Sequence, residues 1–136
     1  FRVVLYAESI ASDGEKVLPF KKTLLMSAGV SARPIRPFTF NYRMVNESKV
    51  LYEHRDSLCW YGDQTFFEAM WKSLKLESVT CEIEFSPLIY TTAEDDRTKV
   101  AEYVHQVVAS KFEPFFPEMN LPTEVQVSSK SLSHSL

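Results

Sequence analysis

What most limits the fold of this chain is the way strand-patterned runs take turns with helical stripes. Val3-Val4-Leu5-Tyr6 is a short apolar run that predicts a buried strand near residues 2–7. Ser12-Asp13-Gly14 then supplies a turn, because Asp and Gly tolerate the backbone angles a reversal needs. Between residues 20 and 28, Phe20, Leu24 and Ser27-Ala28 share one helical face, and Gly29 follows where a helix commonly ends. Residues 34–42 resume a strand with Pro34 and Pro37 near its start, where a missing N–H does least harm. There Phe38, Phe40 and Tyr42 alternate with Thr39, Asn41 and Arg43, which predicts the aromatic set facing the core. Met44 to Leu58 is polar and rich in turn formers, a surface loop or hairpin excursion. Residues 65–74 carry the stripe Phe67, Met70, Trp71 and Leu74, read as core packing, with Asp63 or Thr65 as N-cap. Val79 to Phe85 alternates strictly, with Val79, Cys81, Ile83 and Phe85 inward, and Pro87 ends it. Residues 94–112 close the pattern as a helix whose acids Glu94, Asp95 and Asp96 suit the positive end of its dipole.

Three strands alternating with helices predict an α/β fold, a mixed sheet holding residues 2–7, 34–42 and 79–85 with the helices 20–28, 65–74 and 94–112 packed on it. At 136 residues and 45% hydrophobic content the chain has material for one modest core and too little for two ordinary domains. No run reaches bilayer-spanning length and no signal peptide opens the chain. Its first residue is Phe1, beside the first strand run, so the chain is expected to begin inside a domain.

A net charge of -3 argues against a general nucleic-acid binder. Residues 1–43 nevertheless hold seven basic side chains against three acidic ones, a local excess that suits an anionic substrate or an acidic lipid surface. Cys59 and Cys81 lie among apolar residues without metal-ligand spacing, which predicts buried free thiols and no metal site. His54, in a polar loop, and His105, off its helix's apolar stripe, are expected at the surface.

Tyr6-Ala7-Glu8-Ser9-Ile10-Ala11-Ser12, with Asp13-Gly14 and then Leu18-Pro19-Phe20-Lys21, resembles the F-P-E-G-T-x-S…G…L-P-F-K block of the glycerolipid acyltransferases of the lysophosphatidic acid acyltransferase type. The departures are Ala7 for Pro, Ser9 for Gly and Ile10 for Thr. Pro34-Ile35-Arg36-Pro37-Phe38 is similar to the proline-bounded strand that follows this block by about one helix in the family. Trp60-Tyr61-Gly62-Asp63 with Trp71 resembles a W-Y-G-D…W block of bacterial members, with Met70 where many carry His.

The resemblance implies transfer of a fatty acyl group from acyl-CoA or acyl carrier protein to a hydroxyl of a lysophospholipid such as lysophosphatidic acid, without a cofactor, at the cytoplasmic side of a membrane surface. It assigns substrate binding to Glu8, Ser9, Ser12, Lys21, Pro34, Arg36 and Pro37. The place of Glu8 just past a strand end predicts that it faces a crevice at the sheet's carboxyl edge, with Lys21 and Arg36 as neighbours by loop and strand position. The family's base is the His of an H-x-x-x-x-D motif. Here His54 is followed at that distance by Cys59 and His105 by Ser110, and His134 lies too near the end, so no catalytic residue is assigned. Residues 1–112 are accordingly expected to be the C-terminal part of an acyltransferase domain, and residues 113–136 a proline-containing apolar segment and a serine-rich, disordered tail. The chain by itself is expected to be poorly soluble and inactive. The alternative is a degenerate, non-catalytic lipid- or protein-binding module built on the basic first third and the aromatic strand; a metal-dependent hydrolase is disfavoured.

Overall fold

The computed structural model describes residues 3–31 and 33–115. Helix α1 (Lys22–Val30) leads to β1 (Phe38–Val45) and the short β2 (Ser48–Lys49), a 3-10 turn at Tyr52–His54 runs into α2 (Arg55–Leu58), and α3 (Phe66–Leu74), β3 (Val79–Phe85) and α4 (Arg97–Ala109) follow. The sheet has the order β2-β1-β3, and both pairings are antiparallel. The content is α/β, but the described sheet is antiparallel where a mixed one was expected.

Local chemistry explains most boundaries. Asn46 and Glu47 both take positive φ, 49° and 64°, the geometry of a tight two-residue hairpin turn, and Asn is among the residues that accept it readily. Thr65 and Glu68 form a reciprocal capping box that starts α3. Asp96 accepts from the N–H groups of Thr98 and Lys99 and caps α4, which therefore begins at Arg97, three residues later than the expected start at Glu94. Gly29 does not end α1. It is buried inside the helix because a β-carbon there would lie 2.7 Å from the carbonyl oxygen of Thr92, so the missing side chain lets that backbone approach.

The first expected strand does not form. Val3, Val4, Leu5 and Tyr6 are exposed and pair with no strand among the described residues, and the chain turns at Ala7, which is buried. Residue 2 lies outside the described residues. An apolar, β-branched run favours extended backbone, but a strand also needs a neighbour's N–H and C=O groups.

The expected faces of β1 are inverted over residues 39–41, while Tyr42 still packs against the core. Thr39 and Asn41 are 1% and 2% exposed, whereas Phe40 is 38% exposed. The last turn of α4 and the segment just after it draw these two side chains inward, by offering backbone groups within their reach. Thr39 Oγ1 donates to Val108 O at 3.1 Å, and Asn41 Nδ2 donates to Lys111 O at 3.0 Å while its Oδ1 accepts from Glu113 N at 3.0 Å. The β1–β3 register slips between Tyr42 and Met44, leaving Arg43 as a bulge that pairs with Glu82 and Glu113.

Two further faces differ from the sequence reading. Every residue of β3 is exposed, including Val79, Cys81, Ile83 and Phe85, because β3 is the outer strand of the described sheet and no described element covers it. On α3 the buried residue is Ala69, and Ser73 donates to Ser57 O at 2.5 Å, so the helix docks through its small side chains. Its large apolar face points outward, with Phe67 74% and Trp71 61% exposed.

The core is in two parts. Ala7, Leu25, Ala101 and Val104 form one, flanked by Phe20, Ile35, Ile89 and Val100 where α1 meets α4. Val45, Val50 and Phe115 form the other, with Tyr42, Leu58, Cys59 and Leu76 against them. The serine-rich tail lies outside the described residues.

Candidate functional site

The segment from Tyr6 to Lys21 is a loop closed by its own backbone and seated on both parts of the core. Lys21 N–H donates to Ala7 O at 2.7 Å and Ser9 N–H to Tyr6 O at 3.1 Å. Inside this closure the Glu8 carboxylate accepts from Leu18 N–H at 3.1 Å. Glu8 is therefore half-buried in a turn and not at the carboxyl edge of a strand, since no strand precedes it among the described residues. Ser9 holds φ at 59°, in the region where a side chain costs energy and Gly does not, which gives a physical reason for Gly at this place in the resembled motif.

The turn beyond it is built as its residues predict. Ser12 Oγ accepts from Gly14 N–H, and Asp13 Oδ1 from Glu15 N–H. Gly14 has φ 76°, and a β-carbon there would lie 3.0 Å from both Cys59 Sγ and the Phe115 ring. The Glu8 block thus rests directly against the start of the Cys59-Trp60-Tyr61-Gly62-Asp63 stretch. Trp60 keeps its ring near Phe66 at 5.6 Å and donates through Nε1 to Gln64 O at 2.8 Å.

The remaining assigned residues divide into two groups. Lys21 is joined to Ala7 through its backbone, with its side chain exposed, and Ser9 and Ser12 lie in the same loop. Ile35 pairs with Ile89 through two 2.8 Å hydrogen bonds and packs against the Ala7 cluster. Of its neighbours, Pro34 is exposed, Pro37 is buried and accepts from Ser86 N–H, and Arg36 stands over the Phe85 ring at 5.3 Å.

Both histidines among the described residues are tied to backbone. His54 Nδ1 accepts from Leu51 N–H at 2.9 Å. His105 is half-buried and not outward: its Nε2 lies 3.0 Å from Val17 O and its ring meets Phe20 edge-on at 5.3 Å. A helical-stripe reading misses this contact, because the loop that covers His105 is distant in sequence.

The thiols also differ from expectation, with Cys59 half-buried and Cys81 exposed. Burial, then the negative charge of Asp13, pushes the Cys59 thiol up to about 11, and Arg55 only partly opposes this. It stays protonated at neutral pH and is no nucleophile there. Iodoacetamide at pH 8 is expected to modify Cys81 well before Cys59, read by peptide mass; Cys59 reacting first would contradict its packing under Gly14. Tyr42, beside both cysteines, is pushed up to about 12, chiefly by burial.

Among the described residues no three His, Cys, Asp or Glu side chains cluster to hold a metal, and no helix is long and apolar enough to cross a membrane. No family profile and no solved structure matches the chain. The chain is 30% identical over 106 residues to a lyso-ornithine lipid O-acyltransferase of Brucella abortus (strain 2308), a match that covers 73% of this chain. It spans 40% of that relative's length. This similarity supports an acyltransferase family for the chain.

Proposed function

We propose that this chain is part of an O-acyltransferase that moves a fatty acyl group from acyl-CoA or acyl carrier protein to a hydroxyl of a lysolipid. In that reaction the hydroxyl oxygen attacks the thioester carbonyl, the new ester C–O bond forms, the C–S bond breaks, and the departing thiolate takes up the proton. The observation that carries the reading is the 30% identity to a lysolipid O-acyltransferase. The built loop around Glu8 supports it, since a carboxylate held by one N–H in a closed turn is preorganised for a polar head group. Lysophosphatidic acid is the acceptor that the motif resemblance favours, and a lyso-ornithine lipid is the acceptor that the relative's name favours.

The reaction needs a base for the hydroxyl proton, and His54 and His105 are both occupied with backbone. In this reading the base belongs to an H-x-x-x-x-D motif elsewhere in the full-length protein. The membrane surface is its place of work, on the cytoplasmic side, a reading supported by the basic excess of residues 1–43 and the outward Phe67, Trp71 and Leu74 face.

Full-length protein supplied with labelled acyl-CoA or acyl carrier protein thioester is expected to esterify one of the two lysolipids and to sediment with anionic vesicles. The 136 residues alone are expected to yield no product. Absence of transfer to either acceptor by full-length protein would sink the reading, and turnover by the isolated chain that His54→Ala abolishes would overturn the assignment of the base.

A further inference from the structure

We propose that His105 is a positioning residue that sets Glu8 through a single peptide group, an inference that rests on the reading of Glu8 as a contact to the acyl acceptor. The carbonyl of Val17 and the N–H of Leu18 belong to the same peptide unit. His105 Nε2 holds that carbonyl at 3.0 Å, and the Glu8 carboxylate takes that N–H at 3.1 Å. Because the unit is planar and trans, its C=O and N–H point in opposite directions, and fixing one end fixes the direction of the other. A hydrogen bond to the carbonyl also polarises the N–H, so the two bonds strengthen one another. Val17 O can only accept, so Nε2 carries the hydrogen.

The geometry has one more support. Phe20 lies edge-on to the His105 ring, and the next residue, Lys21, closes the loop onto Ala7 O, the carbonyl immediately before Glu8. In the segment around this peptide Lys16 and Pro19 are exposed, while Val17 and Leu18 are half-buried. His105 stands on α4, whose Ala101 and Val104 are buried in the core beneath the loop, so the ring is carried by a packed element. Its occupation with Val17 makes His105 a positioning group and not a base.

Two variants separate the donor from the ring. In His105→Gln the amide nitrogen reaches the place of Nε2, and in His105→Asn it falls short of Val17 O; both lose the edge contact with Phe20. In full-length protein, hydrogen exchange at Leu18 is expected to rise about three- to tenfold in His105→Asn, the range one lost hydrogen bond allows. His105→Gln is expected to stay within twofold of the parent, and exchange in β1 to be unchanged in both. The acceptor KM is expected to rise by the same factor in His105→Asn, with the acyl-donor KM unmoved. Leu18 exchange unaffected by His105→Asn, equal losses in the two variants, or a faster Leu18 without a change in acceptor KM would each overturn the proposal. If the parent protein transfers no acyl group, the proposed function fails while the exchange measurement still decides whether His105 holds the peptide.

Discussion

Asn41→Leu is expected to lower folding free energy by about 2–5 kcal/mol, because it strips the partner from two backbone groups at once. Asn41 is 2% exposed, and its amide serves Lys111 O at 3.0 Å and Glu113 N at 3.0 Å. Leu is close in size, so no large cavity opens, and the loss comes from a carbonyl and an N–H left unpaired in the part-buried segment that follows α4. A swap of Thr39 to Val removes only the single bond to Val108 O and is expected to cost about 1 kcal/mol. Denaturant midpoints of the protein carrying this chain, with the slope unchanged, check both numbers. An Asn41→Leu midpoint within about 0.5 kcal/mol of the parent would mean that the α4 end does not need β1 as its cap.

Glu8→Gln is expected to lower acyl transfer by full-length protein about ten- to a hundredfold, while its melting temperature moves by no more than a typical surface change. The two halves of that expectation have separate causes. Gln keeps a carbonyl oxygen that accepts from Leu18 N–H, so the closed loop survives the substitution. It removes the negative charge, and a hydrogen bond to a charged group contributes about 1.5–3 kcal/mol, which sets the factor in rate. Steady-state kinetics against the acceptor, normalised to folded protein, give the measurement. A large drop in melting temperature with unchanged activity per folded molecule would reassign Glu8 to holding the loop.

How much of this was legible beforehand follows the reach of the forces involved. Thr65 as a helix cap, the Ser12-Asp13-Gly14 turn and the extent of Val79–Phe85 were readable, because each depends on groups within a few residues of one another, whereas the last helix was read from Glu94 and begins only at Arg97, with Asp96 as its cap. The Asn46-Glu47 reversal fell within a stretch read only as loop or hairpin, and its two positive φ angles belong to the same local class. Periodicity also established that β1 and α3 have two unlike faces. Which face is covered is a different question, because hydropathy ranks the faces while the neighbours decide. On β1 backbone groups at the end of α4 and just beyond it drew Thr39 and Asn41 inward; on α3 the small residues Ala69 and Ser73 allowed closer approach than Phe67 and Trp71. The candidate site divides in the same way. Sequence alone marked Glu8 and its turn, but the peptide group that holds Glu8 is itself held by His105, 88 residues from Val17. A bond across that separation exists only after α4 has packed on α1, since the cost of bringing such distant groups together is met by the whole core and by no local pattern.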